Sequence, residues 1–487
     1  MKRITIDPIT RLEGHGKIEI FLNDDGDVDN VYFQVPELRG FEKFCEGRPV
    51  EELATIVTKI CGVCPGCHHM ASGKAADEVF GVEPTRTAKL IRELFFMAHF
   101  VHSHSAHFYA LAAPDFVVGP TASPAERNVL GVISKVGVEI GTEVLKQRRI
   151  AQEIQAQLGG HQTHCVLVVP GGVRKGIKEE ERKELEEKCK GFIEFAQFSL
   201  KIFDDVVLKN KDYVDLILNG PYTLNLHSMG LVDENNKVNF YDGKVRVVDV
   251  NGKEHCKYAP NDYREWIEER VEPWSYLKFP YLKKIGWKGF VDGNDSSVYH
   301  ATPLSRLNVA DGMATPLAQE HYEKMYATLG GKPVHATLAM HWARLIELLY
   351  SAERALELIQ DEEITSPNIR AKIEKKPTEG VGIVEAQRGT LTHHYWTDEN
   401  GIVTKANIVV GTTNNNAAIC MSLKKAAQGL IKKGVDVNEG ILNMIEMAFR
   451  AYDPCFSCAT HRLPGTMPMI VNINDKDGNV MQTVKRD

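Results

Sequence analysis

Cys61-Gly-Val-Cys64-Pro-Gly-Cys67 near the start of the chain and Asp453-Pro-Cys455-Phe-Ser-Cys458 near its end carry five of the ten cysteines. Each contains an i, i+3 cysteine pair, Cys61/Cys64 and Cys455/Cys458, a spacing that lets both sulfurs of a pair reach one ion. Four soft donors suit nickel, iron or zinc better than magnesium or calcium. On spacing alone a structural zinc site is an equal alternative. Structural zinc sites usually staple a short segment, however, and these pairs stand at opposite ends of the sequence. A site that joins both ends belongs in the core of one large fold.

Outward from these anchors, Lys17–Leu22 and Val28–Phe33 alternate in the manner of strands around Asn23-Asp-Asp-Gly-Asp27, which predicts an N-terminal β-hairpin. From Pro84 the apolar spacing turns helical through Leu90, Ile91, Leu94, Phe95, Ala98 and Val101, predicting a helix to about Leu111 that stops before Pro114. Further helices are expected over 126–158, closed by Gly159-Gly160, and over 179–208. Residues 220–302 are aromatic, Gly-rich and short-period, as in a β-containing elaboration. Helical spacing returns over 316–360, with an interruption at Gly330-Gly331, and again over 418–431 and 438–450. The expected fold class is α+β, a mainly helical bundle core with the hairpin and the mid-chain elaboration beside it. Residues 1–461 form one domain, and 462–487 stand apart as a tail.

The 487 residues are 43% hydrophobic and 25% charged, ordinary for a globular chain. A net charge of -7 gives no basic face with which to replace phosphate counterions, so nucleic-acid binding is set aside. The N-terminus lacks a secretory apolar core, and no run of about 18 apolar residues could span a bilayer. Direct membrane insertion is therefore not expected. Cys45, Cys165, Cys189, Cys256 and Cys420 are scattered and read as small buried hydrophobes.

Taken in order, Ile9-Thr-Arg-Leu-Glu-Gly-His15, Arg39-Gly-Phe-Glu42, Cys61-Gly-Val-Cys64 with His68, Gly160-x-x-x-His164, Pro170-Gly-Gly-Val173, Glu385-Ala-Gln-Arg388-Gly-Thr-Leu391, Thr412-Thr-Asn-Asn415 and Asp453-Pro-Cys-Phe-Ser-Cys-Ala-Thr-His461 resemble the nickel-iron hydrogenase large-subunit family. Each motif is weak alone, and the ordered set is specific. The resemblance implies that Cys61 and Cys455 are terminal thiolates on nickel. Cys64 and Cys458 would bridge nickel to an iron carrying carbon monoxide and cyanide. His68 would hydrogen-bond a bridging sulfur, and Thr412 an iron cyanide. Heterolytic cleavage of dihydrogen releases a proton that needs a base beside the metal, and the resemblance offers two: Glu13, reached through the Cys455 thiolate, and Arg388, oriented by Asp115 and Asp453. A guanidine with pKa above about 12 is a poor base in water, so the two stand as rivals. A second, hard-cation site for magnesium or iron would use Glu42, the Leu391 carbonyl and His461.

Three positions depart from the family pattern: Lys59 for arginine, Gln387 for the proline before Arg388, and Cys165 for proline after His164. The family also implies that a maturation endopeptidase removes the tail beyond His461. No further cysteine cluster has ferredoxin spacing, so no iron-sulfur cluster is expected in this chain and electrons must leave through an iron-sulfur small subunit. The sequence looks most like the cytoplasmic multi-subunit (group 3) branch. There, diaphorase, ferredoxin-linked or heterodisulfide-reductase-type subunits would pass electrons on to NAD(P), ferredoxin or a similar acceptor. Two other readings compete. A complex I relative would lack the four cysteines, and a zinc-stapled scaffold would not need Glu13 and Arg388 in register.

Overall fold

The computed structural model describes residues 2–37, 39–459, 469–474 and 480–486. Long helices form its pillars. Met340–Gln360 packs against Arg86–Ala106 and Glu179–Phe203, and Arg86–Ala106 also packs against Val138–Gly159. Leu345, Ile346, Leu348 and Leu349 are fully buried at this junction, as are Leu94, Phe96 and Phe192. Among the described residues, no helix is long and apolar enough to cross a membrane.

The anticipated hairpin exists, Lys17–Leu22 against Val28–Gln34, and it gains a third antiparallel strand, Lys2–Ile6. Ile18, Ile20 and Phe33 supply its buried face. Helix Arg86–Ala106 is capped by the Thr85 hydroxyl, which accepts the Ala88 N–H. Contrary to the sequence expectation, its course does not stop before Pro114. It widens into π-helical turns over His107–Ala112 and Pro114–Val118 and ends at Gly119. Proline is tolerated at the head of such a turn because its missing N–H is not needed there. The stretch 126–158 is two helices, Val129–Val136 and Val138–Gly159, divided at Gly137 with φ +96. The mid-chain elaboration is a four-stranded sheet in the order Tyr299–His300, His227–Val232, Lys244–Val248, Glu254–Tyr258, with a separate pair Ile267–Val271/Lys278–Leu282. In the tail, Met469–Asn474 pairs with Val480–Arg486.

The sheet that positions the site is absent from the sequence expectation: Glu379–Ala386, Gly389–Thr397 and Val403–Val409, antiparallel throughout. Its first two strands are buried almost without interruption, so they lack the alternation by which strands are recognised. Helix Pro65–Val79 lies directly on the first strand. Two glycines make that approach possible: a Cβ on Gly382 would come within 2.0 Å of the Ala71 carbonyl oxygen, and one on Gly380 within 2.4 Å of that of Ala75.

Candidate metal centre

Cys61 and Cys64 sit where a 3-10 turn, Val57–Ile60, hands over to helix Pro65–Val79. Pro65 starts that helix and Cys64 is its N-cap. The Val63 N–H points back at the Cys61 sulfur at 3.2 Å. Cys455 immediately precedes the short helix Phe456–Ala459 and Cys458 lies within it, and the N-terminal segment holds them. Glu13 and Cys455 form a parallel β-bridge, and the Phe456 N–H donates to the Glu13 carbonyl at 3.1 Å. Gly14 lies so close that a Cβ there would stand 3.0 Å from the Ser457 nitrogen. Arg39 ties both arms together, donating to the carbonyls of Ile60 and Ser457.

The four sulfurs converge to within 4.8 Å of one another and all four residues are buried. Cys61 is 3.3 Å from Cys455, Cys64 is 3.2 Å from Cys458, and Cys455 is 2.9 Å from Cys458. Such a cluster cannot carry four negative charges unaided. Hydrogen bonds from Cys455, Cys458 and Cys64 hold Cys61 well below the usual thiol range, whereas burial pushes Cys455 and Cys458 up. A cation among them would resolve that conflict by replacing the protons.

Glu13, half-buried, is the nearest carboxylate. Its Oε2 accepts from the Cys455 thiol at 2.9 Å and from the Ser457 N–H at 3.1 Å. Arg388 stands on the turn between Ala386 and Gly389. Its Nε donates to the Asp453 carbonyl at 2.7 Å and its Nη2 lies 3.3 Å from the Asp453 carboxylate. Burial opposes its charge, but Asp453 and the cysteine sulfurs outweigh that and keep the guanidinium protonated. The Asn415 amide fixes the turn by donating to the Arg388 carbonyl at 2.8 Å. Only glycine fits next: at Gly389 (φ +152) a Cβ would meet the Ala301 carbonyl oxygen at 2.3 Å.

Asp115 does not join Arg388, which corrects the sequence expectation. Its carboxylate bonds Arg11 Nη2 at 2.5 Å, Arg450 Nη1 at 2.7 Å and the Asn443 amide at 3.0 Å, all close to the segment that carries Glu13. Burial opposes its charge, and the two arginines more than compensate and pull it below the usual carboxylate range. The Thr412 hydroxyl accepts the Cys455 N–H at 3.1 Å. His68 bonds His393 at 3.0 Å, and His393 in turn meets the Tyr395 hydroxyl at 2.6 Å, which donates to Ser72 at 2.9 Å. Burial lowers His68 to about 4 and keeps it neutral. This His393–Tyr395–Ser72 series leaves no mark in the sequence because His393 and Tyr395 lie on the unanticipated sheet, from which Tyr395 reaches Ser72 on helix Pro65–Val79. Glu42 is buried, and its Oε1 accepts the Ile408 N–H at 2.8 Å and meets the Lys278 ammonium at 3.1 Å. His461 lies outside the described residues.

Beside the sulfurs lies a small cavity of about 10 Å³ walled by Cys64, His68, Ala386, Arg388, Leu391, Val410, Thr412 and Cys458, among others. Two buried nitrogens of its wall residues, His68 Nε2 and Arg388 Nη1, lack a partner among the described residues, as does Gln387 Nε2 next to Arg388. Arg388 Nη1 and Gln387 Nε2 are buried donors without acceptors, which is costly, so this region is built for a group that brings acceptors of its own. Four convergent thiolates beside such a wall fit a nickel-iron centre whose iron carries small acceptor ligands.

A family model described as nickel-dependent hydrogenase matches residues 39–131 and 136–461, and one described as HoxL-like matches residues 3–38. The chain belongs to the nickel-dependent hydrogenase family, as a catalytic large subunit that oxidises dihydrogen. It is 51% identical over 485 residues to an F420-non-reducing hydrogenase iron-sulfur subunit of Archaeoglobus profundus, covering 100% of both chains. It is 37% identical over 496 residues to the beta subunit of the NAD-reducing hydrogenase HoxS of Cupriavidus necator, covering 99% of each. A solved NAD+-reducing [NiFe]-hydrogenase in the H2-reduced state matches 95% of this chain and 100% of its own, with a TM-score of 0.89 at 36% identity. The Ni-Fe-Se hydrogenase of D. vulgaris Hildenborough shares the fold, with a TM-score of 0.76 at 24% identity over 94% of this chain and 100% of its own.

Proposed function

We propose that this protein oxidises dihydrogen reversibly, with Cys61 and Cys455 as terminal nickel ligands and Cys64 and Cys458 as bridges to iron. The observation that carries this reading is the junction of four sulfurs within 4.8 Å and a carboxylate 2.9 Å from one of them. When bound, the nickel-iron centre supplies the heterolytic splitting of dihydrogen, with carbon monoxide and cyanide completing the iron. The chain's own residues then handle the proton. Cys455 Sγ passes it to Glu13 Oε2 along their hydrogen bond, a separation within the range for direct transfer. Glu13 is half-buried, so it stands between the buried sulfurs and solvent.

Arg388 serves another purpose. Asp453 holds its guanidinium charged and in place, with Nη1 left to donate toward the cavity. His68 and Thr412 complete the cavity wall there. Asp115 positions the Glu13 segment through Arg11.

Electrons leave through an iron-sulfur small subunit. The relatives named F420-non-reducing and NAD-reducing support a terminal acceptor among NAD(P), ferredoxin or a heterodisulfide-linked carrier, in a cytoplasmic complex with further flavin or iron-sulfur subunits. A maturation endopeptidase would cut after His461.

Glu13→Gln and Arg388→Lys separate the two candidate bases. With nickel retained, Glu13→Gln should lower hydrogen-dependent dye reduction by about a hundredfold, the lower end of what a positioned acid or base contributes. Arg388→Lys should keep a larger share of turnover. Full turnover in the glutamine variant would remove Glu13 from the path.

A further inference from the structure

The resemblance implies a hard divalent cation at Glu42, yet among the described residues the surroundings of Glu42 do not suit one. Lys278 reaches Glu42 Oε1 at 3.1 Å and Glu269 Oε1 at 2.9 Å, so its ammonium bridges two carboxylates. Glu42 is 3% exposed and Lys278 5% exposed, so neither charge is screened by bulk water. The other bond of Glu42 Oε1, from the Ile408 N–H at 2.8 Å, fills the second lone pair of that oxygen.

This placement is rigid. Lys278 opens the strand Lys278–Leu282, paired with Val271 on Ile267–Val271, and the Asn416 amide donates to its carbonyl at 2.8 Å. Asn416 belongs to helix Gly411–Leu430, which also carries Thr412, so the ammonium is referenced to the same framework as the metal centre. Magnesium requires near-ideal octahedral geometry and several retained waters. At Glu42 it would have to displace a buried ammonium or sit beside a like charge.

We propose that the Lys278 ammonium is the resident cation of Glu42 in this chain, replacing the divalent metal with a side chain that needs no loading. The inference rests on the hydrogenase reading only for the expectation of a second metal. Nickel content tests that reading, while magnesium and manganese content tests this one.

The experiment is metal analysis of the EDTA-washed, matured complex, wild type and Lys278→Met. Wild type should hold nickel with no stoichiometric magnesium or manganese, and anomalous scattering at the iron edge should show no iron at Glu42. Lys278→Met keeps the stem and removes the charge, so Glu42 and Glu269 should then bind Mn2+ roughly tenfold or more tightly than in wild type, read by electron paramagnetic resonance. One magnesium, manganese or iron at Glu42 in wild type overturns the proposal, as does a methionine variant with no gain. Should the methionine variant not fold, Lys278→Arg, which retains the charge, is expected to stay free of magnesium; stoichiometric magnesium in it also overturns the proposal.

Discussion

Cys61 and Cys64 enter the centre at the head of a 15-residue helix seated on a buried sheet, whereas Cys455 precedes and Cys458 lies in a four-residue helix that other segments hold in place. The first arm draws its position from its own packing: Pro65 starts the helix, and Gly380 and Gly382 let it press onto the strand beneath. Borrowed contacts position the second arm: a bridge to Glu13, a carbonyl bonded by Arg39, a backbone N–H taken by Thr412, and Asp453 held at φ +53 against Arg388. The carboxylate proposed to accept the proton is thereby also a strap for the cysteine proposed to release it. Proton transfer and thiolate geometry are coupled through one residue.

Breaking either arm at a bridging sulfur should have the largest effect. Cys64→Ser and Cys458→Ser remove a soft donor that a hydroxyl does not replace. Both are expected to lose nickel and hydrogen turnover together, measured by elemental analysis and dye reduction. Nickel at wild-type level in either would break the assignment of both pairs to one centre.

A smaller effect separates the arms by stability. In Gly382→Ala the new Cβ meets backbone at 2.0 Å, so the helix must shift, at a cost of about 1–3 kcal/mol or somewhat more. A lowered Tm before any loss of Asp453–Arg388 geometry is the expected result. An unchanged Tm would mean that the first arm does not depend on this packing.

How much of the molecule is legible in the sequence follows the same division. The cysteine pairs and the long helices are marked by local spacing, Glu13 only by the family resemblance, and the structure places all four sulfurs together. The sheet beneath the first arm gives no signal, because Val381–Ala386 and Gly389–Tyr395 are buried on both faces and lose the period of two. His393 and Tyr395 are hidden with it. Asp115 meets a different arginine from the one expected, since sequence spacing does not say which of Arg11, Arg388 and Arg450 a buried carboxylate contacts. Lys278 is a single residue in a strand, with nothing in its neighbours to announce a buried bridge to Glu42.

The gentlest probe is pH. His68, His69, His99 and His104 are buried and lowered to about 4, whereas in the unfolded chain they titrate near 6.5. The unfolded state therefore takes up protons first as pH falls. Stability should be flat above about pH 7, decline from about 6.5 toward 4, and stop declining on their account below 4. Denaturant titrations between pH 8 and 5 would check the sign; a stability that rises on acidification in that window contradicts neutral buried histidines.

Both arms are proposed to close on one nickel-iron centre whose iron ligands meet the unpartnered donors of Gln387 and Arg388. Infrared spectroscopy of the matured complex tests it most directly. The account predicts bands of metal-bound carbon monoxide and cyanide in a preparation that also contains nickel. Fully matured protein with neither band, and with zinc as the metal bound by the four cysteines, would contradict it.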